Sequence, residues 1–355
     1  MGCDGHRRFL PETVSSDLSP PSVSDDLPLW SPSRLSGFLE GADRRLREAG
    51  VLGVPLREPK PRGRAVFIGD TEGRPALTRR AFARFLPDQD TTIVFLGDYI
   101  DRGPDGIENV CELLGGALIA PDRVVLLRGN HETEDVTPHD FTHEMTRKYG
   151  TEIGDALYDR VMRIFAQLPY AAAVNQFFCV HGGIPDPVPM IADLRSLPMG
   201  RASLMVGSMD NFRPEVQLLW NDVAPVKAER HLNARGFLPN DSRGCGKLYG
   251  RVAVERFLAQ NHLRGIIRGH ERVETVIGLQ FDGKVITINE TGSSDSAPKL
   301  QGFLLLDAGR LRAEIFPSAE MADPPEGVVE LAAMADRAVN ETLREAQPDG
   351  SELPH

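Results

Sequence analysis

The chain has 355 residues, 41% of them hydrophobic and 26% charged, enough to bury a large core in one catalytic domain or two smaller ones. Its formal net charge of -11 excludes a broad basic surface and generic nucleic-acid binding, though not phosphate chemistry, where metal ions and a few arginines set the local field. No apolar run reaches membrane-spanning length, so no membrane partner is expected.

Residues 1–30 are rich in Ser, Pro and Asp and are expected to be disordered. Met1-Gly2-Cys3 hints at acylation, but His6 stands where Ser or Thr is needed, and there is no hydrophobic signal core. A helix is predicted from Pro32 and Ser33 through Leu39 and Leu46 to a stop at Gly50, followed by a Pro-punctuated linker over 51–62. Strand 64–68 runs into Gly69-Asp70-Thr71-Glu72-Gly73, and a helix over 74–86 carries Leu77, Ala81, Phe82 and Phe85 at apolar positions. Strand 91–96 stops at Gly97 and delivers Asp98 and Asp101 into a tight loop. After a helix over 106–119, strand 123–127 ends in Arg128-Gly129-Asn130-His131-Glu132. A helical stretch over 139–167 is broken near Gly150 and ended by Pro169. Strand 177–180 ends in His181-Gly182-Gly183. Residues 185–221 read as irregular, with a short helix around 191–197. A helix over 249–260 precedes strand 265–267 and its end, Arg268-Gly269-His270-Glu271. Segments 280–282, 285–288, 302–306 and 312–316 read as antiparallel strands with turns at Asp282-Gly283 and Ala308-Gly309. The tail from Glu320 is acidic, and 327–347 has the pattern of an amphipathic helix. Early strand–helix alternation with later hairpins predicts an α+β or α/β fold: a two-sheet core with helices on its outer faces. The division follows as 1–30, a catalytic domain over 31–317, and a tail over 318–355.

Cys3, Cys111, Cys179 and Cys245 show no Cys-x-x-Cys spacing, so buried or incidental thiols in a reducing cytoplasm are expected. Chemistry concentrates elsewhere. Five strand ends each carry oxygen or imidazole ligands beside glycine, which predicts one metal-bearing site at one sheet edge. Asp70, Glu72, Asp98, Asn130, His181 and His270 offer three carboxylates, an amide oxygen and two imidazoles. That set suits two adjacent divalent ions, with Asp98 as the natural bridge. Each residue alone also reads as a turn or cap residue; it is their joint occurrence at strand ends that decides. His131 follows Asn130 and is the candidate general acid, with Asp101 orienting its ring. Arg102 and Arg243 are the candidates to fork onto phosphate oxygens. His139, His143, His231 and His262 read as surface or interface histidines, and Trp30 and Trp220 as packing residues.

The runs Gly97-Asp98-Tyr99-Ile100-Asp101-Arg102-Gly103, Leu127-Arg128-Gly129-Asn130-His131-Glu132 and His181-Gly182-Gly183 resemble the phosphoprotein phosphatase family of metallophosphoesterases. So do Leu218-Leu219-Trp220-Asn221-Asp222, Ser242-Arg243-Gly244-Cys245-Gly246 and residues 257–271, all in the family's order over roughly 64–317. The resemblance implies a β-sandwich flanked by helices on both faces, two metal ions, and single-step attack of a metal-bridging hydroxide on a phosphomonoester. It implies Asp70, Asp98, Asn130, His181 and His270 as ligands, His131 with Asp101 as the acid pair, and Arg102 and Arg243 as phosphate binders. Arg128 matches a family arginine whose role stays open between phosphate contact and buried ion pair.

Two positions depart from the family. Glu72 replaces a histidine, which raises the ligand charge to about -3 from about -2 against two divalent ions. That shifts the expected preference toward manganese, with magnesium or iron open and zinc disfavoured; the alternative reading puts Glu72 behind the ligand shell or facing solvent, with a water in its place. Asn289-Glu290-Thr291-Gly292-Ser293-Ser294-Asp295 replaces a loop that carries an overhanging tyrosine, so inhibitor sensitivity and substrate preference do not carry over. The expected activity is a phosphatase acting on phosphoserine or phosphothreonine of protein or peptide partners. Phosphotyrosine, dinucleoside polyphosphates, or a pseudophosphatase that only binds phosphorylated partners are the alternatives. The sequence names no regulatory subunit.

Overall fold

The computed structural model describes residues 31–137, 139–205, 212–289 and 300–317. In chain order, its first half comprises α1 (Pro32–Glu48), β1 (Leu56–Arg57), β2 (Arg64–Ile68), α2 (Pro75–Phe85), β3 (Thr91–Phe95), α3 (Gly106–Ile119), β4 (Val124–Leu126), α4 (Asp140–Tyr149) and α5 (Thr151–Phe165). Then come β5 (Ala171–Val174), β6 (Phe177–Val180), α6 (Ile191–Leu194), α7 (Pro214–Trp220), β7 (Asp222–Val223), β8 (Phe237–Pro239) and β9 (Lys247–Tyr249). The last part holds α8 (Arg251–Asn261), β10 (Gly265–Arg268), β11 (Ile277–Gln280), β12 (Val285–Ile288), β13 (Leu300–Asp307) and β14 (Arg310–Pro317).

The central strands are short and apolar at nearly every position, the pattern of a strand buried on both faces. Side-chain alternation sorts them into three clusters. Ala65, Phe67, Val94 and Leu96 of one sheet meet Phe177, Cys179, Ile267 and Ile286 of the other between the two sheets. The alternate residues Val66, Ile68, Ile93 and Phe95 pack outward against α1 to α5. On the other side Phe178, Val180, Ile266 and Val285 pack against α6 to α8. The result is the expected two-sheet sandwich with helices on both outer faces.

The first sheet runs β14-β13-β2-β3-β4, the second β1-β5-β6-β10-β12-β11, and a small third sheet β7-β9-β8. Strands β2, β3 and β4 are parallel to one another, and so are β6, β10 and β12. Parallel strands end at the same edge. That is how segments scattered from residue 69 to residue 289 come to share one rim.

Several predicted elements differ from those found. Strand β1 lies inside the expected linker, and β5, α7 and the third sheet were not predicted; two- to four-residue strands are too short to show a period. The strand placed over 280–282 is β11, Ile277–Gln280, because Phe281 and Asp282 take positive φ (53° and 59°) and close the turn into β12. The helical stretch divides at Gly150 (φ 79°) into α4 and α5, as expected. Expectations for residues 1–30, the tail from 318 with its helix over 327–347, and residues 290–295 of the replaced loop lie outside the described residues. No helix among the described residues is long and apolar enough to cross a membrane.

Candidate active site

Asp70 follows β2, Asp98 follows β3, Asn130 follows β4, His181 follows β6 and His270 follows β10. The loops that carry them are tightly bent: Glu72, Asp98, Asp101, Arg102 and His270 all have φ between 44° and 71°. Such left-handed conformations cost non-glycine residues on the order of 1–3 kcal/mol each and persist only where surroundings hold them. Two features do the holding. A Cβ on Gly129 would lie 2.2 Å from Asp98 Oδ1, so the loops after β3 and β4 touch at a glycine. The buried Glu132 carboxylate accepts the backbone N–H groups of Asp98 (2.7 Å), Tyr99 (2.7 Å) and Gly129 (2.8 Å), binding the two loops together. Burial, and then the Asp98 charge, nevertheless push Glu132 up to about 7.

Four candidate ligand atoms converge. His181 Nε2 lies 2.9 Å from Asn130 Oδ1, 3.1 Å from His270 Nδ1 and 3.2 Å from Asp98 Oδ1. The far side of each ring is turned outward to an oxygen: His181 Nδ1 to the Leu96 carbonyl at 2.9 Å, and His270 Nε2 toward Asp222 Oδ1 at 3.3 Å. The other nitrogen of each ring faces inward as a candidate ligand atom. The ligand atoms of Asp98, His181 and His270 lie within 4.8 Å of one another, and all three residues are buried. Burial, joined by the positive charges of His181 and Arg243, pushes His270 well below the usual histidine range, toward the neutral, ligating form. Burial also opposes charge on Asp98 and on His181. Their mutual attraction prevails, holding Asp98 well below the carboxylate range and His181 above its own. A proton on His181 Nε2 and a divalent cation thus compete for one position, and the donor set of imidazole, carboxylate and amide oxygen fits such a cation.

The remaining ligand candidates stand further back. Asp70 accepts from His270 N–H (3.1 Å) and from Asn289 Nδ2 (2.8 Å), with Oδ1 4.0 Å from His181 Nδ1. Burial and the nearby Asp98 push it up to about 7. Glu72 faces basic groups: Arg102 Nη1 donates to its Oε1, and Arg74 Nη1 lies 3.6 Å from Oε2.

Beside the cluster, His131 Nδ1 lies 2.6 Å from Asp101 Oδ2, and His131 N–H donates to Asp98 Oδ1 at 3.1 Å. Its Nε2 is 3.9 Å from Asp98 Oδ2, so the ring spans from Asp101 to the ligand cluster. Burial works against a charged imidazole here, but Asp98 and the Asp101 bond outweigh it and raise His131 to about 9. His139, read as a surface or interface histidine, has a side chain only 7% exposed, with Nδ1 3.2 Å from Asp101 Oδ1. His143, His231 and His262 are exposed as expected. Trp220 stands edge-on to His270 at 6.1 Å.

Arg243 forms a two-point pair with Asp222, Nε to Oδ2 at 2.9 Å and Nη2 to Oδ1 at 3.1 Å, which leaves Nη1 outside that pair. Arg128 is fully buried. It donates to the carbonyls of Glu132 (3.1 Å), Arg201 (2.8 Å) and Ala202 (3.1 Å), and is thereby directed into the loop at 201–202. Sequence reasoning selected none of Glu132, His139, Asp222 or Asn289 as site residues. The usable signal was adjacency for Glu132, directly after the Asn130-His131 pair, and for Asn289, at a strand end. For Asp222 it was the family-like run Leu218-Leu219-Trp220-Asn221-Asp222, and for His139 there was none beyond a polar side chain.

A calcineurin-like phosphoesterase family model matches residues 63–274. The chain is 33% identical over 224 residues to a serine/threonine-protein phosphatase 4 catalytic subunit of Kluyveromyces lactis, covering 62% of this chain and 67% of the relative. It is 35% identical over 217 residues to the serine/threonine-protein phosphatase 2B catalytic subunit A1 of Saccharomyces cerevisiae, covering 58% of this chain and 37% of that one. A solved protein serine/threonine phosphatase of Saccharomyces cerevisiae superposes with a TM-score of 0.64 at 25% identity, over 84% of this chain and 92% of the other. The chain thus spans about two thirds or less of the length of these two curated relatives.

Proposed function

We propose that this chain, which belongs to the calcineurin-like phosphoesterase family, is a metal-dependent phosphatase of phosphoserine and phosphothreonine in protein or peptide substrates. The observation that carries the reading is the convergence of His181 Nε2, His270 Nδ1, Asp98 Oδ1 and Asn130 Oδ1 beside the His131–Asp101 pair. Divalent ions bound by Asp70, Asp98, Asn130, His181 and His270 would lower the pKa of a bound water and neutralise phosphoryl charge. Manganese is the expected ion if Glu72 leaves its arginine partners and adds its negative charge to the ligand set. The protein's own part is to place the ester and supply a proton. Arg102 and the Nη1 edge of Arg243 would hold the phosphoryl oxygens, with the ester oxygen presented to His131. Asp101 keeps the ring in register, and His131 Nε2 gives its proton to the departing alkoxide as the P–O bond breaks.

Similarity to phosphatases at 33–35% identity supports the substrate class. The test is turnover, with added manganese, of a phosphoseryl peptide, a phosphotyrosyl peptide and a dinucleoside polyphosphate by the wild type and Asp98→Asn. The phosphoseryl peptide is expected to give the highest kcat/KM, with activity and bound metal both lost in Asp98→Asn. A clear preference for the dinucleotide would reassign the substrate.

The pairing of Glu72 with Arg102 and Arg74 favours a second reading, a phosphate-binding relative without turnover. Metal content and activity of the wild type and Glu72→His separate the two. A silent wild type holding one ion, with both ions and activity restored by Glu72→His, would establish the second.

A further inference from the structure

Asp101 is held from two sides. His131 Nδ1 lies 2.6 Å from Oδ2, while His139 Nδ1 lies 3.2 Å from Oδ1, the oxygen that also accepts Phe141 N–H at 2.8 Å. The second imidazole is itself fixed. Its Nε2 donates to the Thr133 carbonyl at 3.1 Å, and the Tyr158 ring packs edge-on at 5.7 Å. Thr133 Oγ1 in turn donates to the Asn130 carbonyl at 2.7 Å, so the path from His139 returns to the loop that carries His131. The circuit Asp101, His139, Thr133, Asn130, His131 therefore closes on itself. One neighbouring bond reinforces it: Arg102 N–H donates to Asp140 Oδ2 at 3.3 Å, docking the start of α4 on the Asp101 loop.

A carboxylate bonded through a single oxygen can still turn about its Cβ–Cγ bond and carry its partner ring with it. Here Oδ1 accepts Phe141 N–H and also carries the His139 ion-pair contact, so His139 adds a second restraint to the one the backbone supplies. We infer that His139 is a positioning residue of the proton-donating pair, fixing Asp101 so that His131 Nε2 stays aimed at the leaving oxygen. This rests on the reading of His131 as general acid. In that step the electron pair of the breaking P–O bond goes to the ester oxygen, which takes the Nε2 proton and leaves the imidazole neutral. Demand for the proton grows with the basicity of the leaving group. A serine alkoxide needs it, whereas a 4-nitrophenolate departs without it.

The experiment compares a phosphoseryl peptide with 4-nitrophenyl phosphate, using the full chain with manganese and the variants His139→Ala, His139→Asn, Tyr158→Leu and His131→Ala. For His139→Ala, kcat on the phosphoseryl peptide is expected to fall roughly tenfold at constant KM, while 4-nitrophenyl phosphate changes by less than about twofold. His139→Asn, whose amide nitrogen stands where Nδ1 stood, should restore most of the loss. Tyr158→Leu, which only loosens the ring, should discriminate in the same direction by a smaller factor and serves if His139→Ala does not fold. Equal slowing of both esters by His139→Ala and Tyr158→Leu, or a lowered Tm with no kinetic split, would overturn the inference and leave His139 a packing residue. If His131→Ala shows no split between the esters, the acid reading fails and this inference falls with it. A split in His131→Ala alone disposes of His139 only.

Discussion

At the scale of single residues, the proton on His131 is the quantity most open to measurement. Asp98 and Asp101 overcome burial and lift the ring to about 9, from an ordinary value of 6.5. A folded-state value above the unfolded one means that the charged ring stabilises the fold. That contribution is complete below the unfolded value of 6.5 and is lost as pH rises through about 9. The shift corresponds to something on the order of 3 kcal/mol. In chelator, the Tm of the wild type should therefore exceed that of His131→Asn by most at pH 6, with the gap closing toward pH 9.5. A gap that does not change with pH would mean that the two carboxylates do not stabilise a charged ring. In the metal-free protein the same shift keeps His131 protonated through neutral pH.

Among the elements, the strand ends matter more than the strands. Glu132 joins the turn after β3 to the turn after β4 through three backbone N–H groups, and both turns carry candidate ligands. Removing the acceptor leaves three buried donors unpaired, so Glu132→Ala is expected to cost about 3 kcal/mol or more. Glu132→Gln should recover only part of this, because its amide NH2 would face a backbone donor. Urea denaturation reads the effect as a fall in midpoint at constant slope. A loss under about 1 kcal/mol for the alanine variant would show that the Gly129 contact suffices to join the turns. The sequence already placed α3 and β12 at their observed bounds, because glycine marks and clear apolar patterns delimit them. It misplaced β11, since a three-residue window cannot distinguish the last strand residue from a turn residue with positive φ.

For the molecule as a whole, the sandwich controls access to its thiols. Cys179 lies between the sheets and Cys111 under the α-helical layer, both buried, and burial pushes each thiol far above its usual value. Burial also raises Cys245, to about 11. A thiol that is neither exposed nor ionised does not react. Alkylation at pH 8, with the modified residues located by peptide mass, should therefore leave Cys111, Cys179 and Cys245 unmodified until denaturant opens the fold. Rapid labelling of Cys179 under native conditions would contradict the packing of the two sheets.

What the sequence determined by itself was local. Buried strands ending in glycine beside Asp, Asn or His were legible because a strand's apolar run and a glycine's turn are read within about ten residues. The nearness of His131 and Asp101 to the cluster was legible for a similar reason, since His131 sits next to Asn130 and Asp101 lies three residues from Asp98. The partners of those residues were decided only by the tertiary structure. Asn289 meets Asp70 across 219 positions, and Arg268 donates to the Gly182 carbonyl across 86. Asp222 joins Arg243 to His270, and His139 reaches Asp101 from the foot of a helix. Asp, Asn and His are ordinary turn and cap residues, and their identity does not specify a distant partner. That partner is set by which parallel strands end at the same edge, a property of two sheets packed face to face and of no single segment.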